Sequence, residues 1–315
     1  LMACAHIDAC VPNFLIQECN VDVSSEFVRD LFGEGPEIDG GHLVLSERPG
    51  LGVEFNEEAA EKYPYRPFDR PVIVMSGIHD PGVAGPSIVR AVRRVADDAT
   101  PIIGVSFLTT WTFDSCRNRV FRVLDRELGV NNEPFDGEVD VIAVSMGGLV
   151  ARHCALPRSS DGRRLNIRRL FTISSPHQGA KLAWLGFFDP RAYDMKPGSD
   201  FLRRLDAFQR ETPFEIIAYA RLNDAIVGEH NAGPLGSNPR WLATPRGEFS
   251  HLAAHRDPRL LADIFRRLRG EPAFTDDEPL PLPDDEHAYT IRSAATDDDK
   301  PANSGGSGAS LPTDG

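Results

Sequence analysis

Short apolar runs recur at residues 72–75, 102–107, 139–144, 170–173 and 214–219, with helical patterns between and after them at 87–96, 116–128, 147–155, 201–208 and 258–269. A run rich in Val, Ile and Phe with no regular polar alternation reads as a strand buried on both faces. Strand and helix taking turns over about 200 residues predicts an α/β fold, a mostly parallel central sheet flanked by helices. Ligands of such sheets bind beyond the carboxyl ends of the strands. Residues that carry chemistry are therefore expected just after each apolar run.

The third run leads directly into Ser145-Met146-Gly147-Gly148-Leu149-Val150-Ala151-Arg152. A serine wedged between a buried strand and a helix needs a sharp turn with strained backbone angles, so the residues two before and two after it must be small. Here they are Ala143 and Gly147, and Gly148 lets the helix pack closely. The hydroxyl projects at the helix N-terminus, where the dipole favours developing negative charge. Ser145 is thus the candidate nucleophile.

This segment resembles the Gly-His-Ser-Met-Gly-Gly-Leu-Val-Ala-Arg elbow of the lipase and esterase branch of the α/β-hydrolases, with Ala143 in place of Gly and Val144 in place of His. The run ending in Ser76-Gly77-Ile78-His79 resembles that family's strand ending in His-Gly. The resemblance implies that the backbone N–H groups of Ile78 and Met146 form the oxyanion hole. Two such fixed donors are worth about 3 kcal/mol each to a tetrahedral transition state. Ser174-Ser175-Pro176-His177-Gln178-Gly179 resembles a structural loop of the family, and Pro197-Gly198-Ser199-Asp200-Phe201-Leu202 resembles its excursion before the seventh strand. Trp184, Phe187 and Phe188, in that excursion, read either as the lining of an acyl pocket or as a lid helix packed on its own domain. The likeness spans about residues 68–270.

The family's chain order is Ser, then Asp or Glu, then His. Asp224 follows the fifth apolar run directly, in Asn223-Asp224-Ala225-Ile226-Val227, which resembles the family's acid segment. His251 precedes the last helix in Ser250-His251, followed by an apolar stretch and Asp257-Pro258, and occupies the position of the family's base. His255 is its rival, one helical turn away. His79 and His177 read as loop residues, and His230 sits close behind Asp224. Asp189, Asp194 and Asp200 read as parts of a cap or loop.

Residues 1–67 resemble something different. His6-Ile7-Asp8, Asn13, Gln17-Glu18 and Pro49-Gly50-Leu51-Gly52-Val53-Glu54 look like the C-terminal end of an enolase-superfamily sugar-acid dehydratase. A barrel of that kind needs roughly 200 residues or more, and its ligands and base would lie upstream, so no dehydratase activity is expected. Residues 42–45 and 52–55 are expected to form a hairpin that extends the main sheet.

The net charge of −13 divides unevenly: residues 1–67 and 271–315 each carry −9, while 68–270 carries +5, almost all of it from Arg. Scattered Arg without interleaved aromatics reads as solvated helix faces rather than a nucleic-acid or membrane surface, so no nucleic-acid partner is expected. Residues 271–315, acidic and rich in Pro, Gly and Ser, are expected to be a disordered tail. No stretch reaches the roughly 20 apolar residues of a membrane span. Five scattered cysteines, Cys4, Cys10, Cys19, Cys116 and Cys154, suit neither a disulfide framework nor a zinc site and read as reduced thiols of a cytoplasmic protein. The function expected is cleavage of small-molecule or lipid carboxylic esters through an acyl-serine, with no metal or organic cofactor. The open alternatives are an acyltransferase or thioesterase on the same fold, or a non-catalytic binding module.

Overall fold

The computed structural model describes residues 2–11, 26–33, 38–39, 42–45, 47–62, 67–131, 133–160, 162–181, 189–211, 214–245, 247–275 and 278–283. Two compact units divide the chain, Leu1–Arg66 and Pro67–Gly315.

In the first unit, helices α1 (Met2–Asp8), α2 (Glu26–Phe32) and α3 (Glu57–Ala60) accompany two short strands, β1 (Ile38–Asp39) and β2 (His42–Leu43), paired antiparallel. The Asn56 side chain caps α3 by accepting from the N–H of Ala59 at 2.9 Å, and the Phe32 and Phe55 rings meet at 5.6 Å. The hairpin expected from residues 42–45 and 52–55 does not form. His42–Leu43 pairs with Ile38–Asp39 instead, and residues 52–55 are not in a strand. Asn13, Gln17 and Glu18 lie outside the described residues.

In the second unit the apolar runs become a six-stranded sheet: β3 (Val72–Met75), β4 (Ile102–Val105), β5 (Glu138–Val144), β6 (Asn166–Ile173), β7 (Glu215–Arg221) and β8 (Arg240–Leu242), in the order β4-β3-β5-β6-β7-β8. Every neighbouring pair is parallel. Parallel pairing needs a crossover between strands, which α4 (Ala84–Arg93), α5 (Phe113–Leu128), α6 (Met146–Ala155) and α8 (Asp200–Glu211) supply from β3 to β7. Helix α7 (Pro190–Asp194) precedes α8, and α9 (Ser250–Ala253) and α10 (Pro258–Leu268) follow the sheet. This topology, with a serine-bearing turn between β5 and α6, is the α/β-hydrolase fold.

The absence of polar alternation has a direct structural cause. Ile73, Met75, Val141 and Ala143 face a cluster that includes residues of α5, α6 and α8. Their neighbours Val72, Val74, Ile142 and Val144 face a second cluster, with α4 and α10. Burying both faces makes each position worth roughly 1.5–3 kcal/mol for a large aliphatic side chain.

Several element ends differ from the sequence reading. Helix α4 begins at Ala84 rather than 87, because the Asp80 carboxylate accepts from the N–H groups of Gly82, Val83, Ala84 and Gly85 at 2.8–3.2 Å. Pro86 then falls in the first turn, where its missing N–H costs nothing. Strand β6 starts at Asn166, four residues earlier than its apolar run, and Arg169 there is neutralised by the buried Asp140 of β5. Of the segment read as a tail, Phe274 and Thr275 donate backbone N–H groups to Asp263 at 2.7 and 2.9 Å, and Trp241 Nε1 donates to the Pro281 carbonyl at 2.9 Å. Residues 284–315 lie outside the described residues.

Candidate active site

Strand β5 ends at Val144 and helix α6 begins at Met146, which leaves one residue to reverse the chain. Ser145 does so at φ 52° and ψ −126°, in a region that L-residues enter only under strain. Its N–H donates to the Ile173 carbonyl at 2.8 Å, and its carbonyl accepts from Gly148 at 3.1 Å. The turn also explains its glycines. A Cβ on Gly147 would stand 2.7 Å from the carbonyl oxygens of both Met75 and Ser76, and one on Gly148 would collide with the Ser175 side chain.

Three candidate residues from three loops converge. Ser145 Oγ lies 3.1 Å from His251 Nε2, and His251 Nδ1 lies 2.8 Å from Asp224 Oδ2. Asp224 follows β7, and its other oxygen accepts from the N–H groups of Ile226 and Val227, each at 3.0 Å. Burial alone would raise the Asp224 pKa, but the hydrogen bond and charge of His251 and these two amides hold it below the ordinary carboxylate value. An ionised carboxylate only accepts, so His251 carries its proton on Nδ1 and presents Nε2 as an acceptor to the Ser145 hydroxyl. Asp224 is 1% exposed and Ser145 9%, so both residues are buried.

The loop after β3 runs beside the serine. A Cβ on Gly77 would lie 3.3 Å from Ser145 Cβ and 3.8 Å from its Oγ. Gly77, the residue before Ile78, thus packs against Ser145, and Met146 follows the serine as the first residue of α6. His79 follows in the left-handed region at φ 51°. Its Nε2 lies 3.0 Å from Asp189 Oδ2. Asp189 is gripped by the fully buried Arg191 through Nε at 2.9 Å and Nη2 at 2.6 Å. Burial would raise the Asp189 pKa, yet Arg191 holds it below its usual value.

The remaining histidines fall elsewhere. His255 is buried, and its Nε2 accepts from Arg256 Nε at 3.1 Å. Burial and the Arg256 charge push its pKa down. His177 is fully buried, 2.9 Å from Thr172 Oγ1 and 3.4 Å from Arg152 Nη1. Burial and the Arg152 charge hold it well below the usual range, so it is a neutral structural residue. His230 is exposed in a short 3-10 helix, Glu229–Ala232. Asp189 caps α7, Asp194 ends it and Asp200 opens α8. Trp184, Phe187 and Phe188 lie outside the described residues. Among the described residues, no group of three His, Cys, Asp or Glu could hold a metal ion, and no helix is long and apolar enough to cross a membrane.

Sequence reasoning missed Asp80, Asp189 and Arg221 as organisers of these loops. Asp80-Pro81-Gly82 ahead of a helix carries a readable capping signal. The partnerships of Asp189 and Arg221 have no local signature.

The two parts of the chain resemble different proteins. The family model described as "Enolase C-terminal domain-like" matches residues 1–59. A D-galactonate dehydratase family member of Musicola paradisiaca is 44% identical over 59 residues, which are 19% of this chain and 14% of that protein. The chain thus spans less than a fifth of the length of the curated relatives it matches. Among solved structures, the product of gene lin2722 of Listeria innocua is similar at a TM-score of 0.46 and 16% identity, over 71% of this chain and 98% of that one. The mature form of a Bacillus licheniformis lipase is similar at a TM-score of 0.46 and 14% identity, over 65% of this chain and 93% of that one.

Proposed function

We propose that the chain hydrolyses carboxylic esters through an acyl-serine intermediate. The observation that carries this reading is the hydrogen-bonded line from Ser145 Oγ through His251 to Asp224, 3.1 and 2.8 Å per link. Such a line gives a hydroxyl a base and gives the base a fixed tautomer. Ser145 Oγ attacks the ester carbonyl while His251 Nε2 takes its proton. The tetrahedral oxyanion is received by the N–H groups of Ile78 and Met146, at the positive end of α6. The intermediate collapses as His251 returns the proton to the leaving alcohol. Water, deprotonated by the same imidazole, then releases the acid. Asp224 stays ionised throughout and stabilises the imidazolium.

The test is hydrolysis of p-nitrophenyl esters of graded acyl length by the native chain and by Ser145→Ala. Activity that vanishes in the variant supports the serine mechanism, and the length optimum separates a short-chain esterase from a lipase. If no ester is cleaved above the level of the variant, the hydrolytic reading fails and acyl transfer or binding takes its place.

A further inference from the structure

The base and the acid of the proposed site come from different connections, and His251 sits in the four-residue helix α9, between β8 and α10. Something must hold this connection in register with the end of β7, because a misplacement of about 1 Å is enough to cost on the order of a hundredfold in rate. Arg221 is the last residue of β7, three positions before Asp224, and only 2% of it is exposed. Its Nη2 donates to Glu248 Oε2 at 2.8 Å, three residues before His251. Its Nε lies 3.5 Å from Asp257 Oδ2, six residues after His251. Its carbonyl accepts from the hydroxyl of Ser250, the residue next to His251, at 3.1 Å.

We propose that Arg221 is a positioning residue for His251, a clasp that fixes both ends of the base-bearing loop on the strand that delivers Asp224. The proposal rests on the ester-hydrolase reading and adds to it the part that sets the separation of base and acid.

Cohesion alone is a poor account of this arginine. Burying a guanidinium carries a hydration penalty that an apolar side chain of similar volume would avoid. What a guanidinium supplies is a charge and a directed donor at once: Nη2 hydrogen-bonds Glu248 while the charge faces Asp257 at 3.5 Å as an ion pair. Asp257 does not depend on it for charge balance, since Arg259 donates to it through Nε at 3.0 Å and Nη2 at 2.7 Å. Asp257 also caps α10 by accepting from the Arg259 N–H at 3.1 Å. Loss of the Arg221 side chain therefore leaves the cap of α10 and the Ser250 bond to the backbone carbonyl intact and removes the ties to Glu248 and Asp257. Neighbouring contacts pin the strand end as well: the Leu222 carbonyl accepts from Thr244 Oγ1 at 2.6 Å, and its N–H donates to the Leu242 carbonyl at 2.9 Å.

The experiment compares the native full chain with Arg221→Met, Arg221→Lys, Glu248→Ala and the double variant Arg221→Met/Glu248→Ala. It reads kcat and KM on the best p-nitrophenyl ester, the melting temperature, and the ring 15N shifts of His251, which report its tautomer. The Glu248 side chain is 46% exposed, so Glu248→Ala opens the clasp from the solvent side without emptying the core. Expected for Glu248→Ala are an unchanged melting temperature, KM within twofold and kcat lower by about tenfold. Arg221→Met lowers kcat by about ten- to a hundredfold, the double variant is no worse than Arg221→Met, and Arg221→Lys recovers part of the loss. In each impaired variant the His251 ring leaves the pure Nδ1–H tautomer of the native chain.

Native kcat in both single variants would overturn the proposal. So would an Arg221→Met chain that merely unfolds beside a Glu248→Ala chain with native kcat and native 15N shifts, because the role is then structural. If the native chain cleaves no ester, the 15N shifts decide alone. A native Nδ1–H tautomer lost in Glu248→Ala and Arg221→Met upholds the clasp while the ester reading fails. A tautomer that is unchanged in the variants, or not Nδ1–H in the native chain, overturns the clasp.

Discussion

Ser145 Oγ and His251 Nε2 lie 3.1 Å apart although their residues are 106 positions apart in the chain. The contact joins a turn fixed by the sheet to a loop anchored outside it. Asp224 closes the set from behind at 2.8 Å, on the far side of the imidazole. The geometry of each loop therefore has a measurable consequence.

Replacing Asp224 by Asn keeps the shape and removes the charge. Its Oδ1 can still accept from Ile226 and Val227, but an amide no longer obliges His251 to keep its proton on Nδ1. On the ester reading, kcat falls by about 10⁴-fold with little change in KM, as steady-state kinetics would show. A loss of only a few-fold would mean that Asp224 does not orient the base.

The serine turn leaves no room beside it. In Gly147→Ala the new methyl would lie 2.7 Å from two carbonyl oxygens, of Met75 and Ser76, that belong to the backbone of β3 and its exit. The strand or the helix must move, at a cost of typically 1–3 kcal/mol. Urea unfolding followed by circular dichroism should show a lower midpoint at unchanged slope. A native midpoint would show that the packing of α6 on β3 is looser than these distances imply.

Acid should weaken the second unit through its buried carboxylates. Burial pushes the Asp263 pKa up, but donation from Tyr219 at 2.6 Å, from Thr275 and from Arg267 outweighs it and leaves the folded value depressed. Asp80 and Asp224 shift in the same direction. A depressed folded value means that the unfolded chain takes up protons first. The stabilisation is therefore complete above roughly pH 4, the ordinary carboxylate value, and is lost as pH falls through the folded value. Melting temperature should hold between about pH 7 and 5 and drop below about 4. Asp263→Asn should start lower at neutral pH and drop less steeply. An equally steep drop in the variant would locate the acid sensitivity elsewhere.

Thiol reactivity should separate the cysteines. Cys4 and Cys10 are exposed, while Cys116 and Cys154 are buried. Burial raises the Cys116 thiol and pushes Cys154 up to about 12, so neither forms the reactive thiolate at neutral pH. In a Cys19→Ser background, Ellman's reagent should titrate two thiols in the native chain and two more on unfolding. Prompt reaction of four native thiols would contradict the burial of α5 and α6.

Much of this chain is determined locally. A strand buried on both faces loses its polar alternation, and a one-residue reversal between strand and helix demands glycines after it, so β3 to β7 and Ser145 are legible in the order of the residues alone. Polar stretches at element ends are less so. The start of β6 is hidden by Arg168 and Arg169, and β8 by its Arg240-Trp241-Leu242 sequence, because charge there is balanced by partners such as Asp140 that lie far along the chain. What only the tertiary structure decided is the contact geometry of the chosen histidine. The resemblance already favours His251 over His255, one helical turn away, but only the fold sets His251 Nε2 3.1 Å from Ser145 Oγ while burying His255. The same holds for Arg221, whose three contacts come from residues 248, 250 and 257. Propensity and periodicity act over a few residues, whereas a hydrogen-bonded line across three loops exists only once the sheet has set the loops side by side.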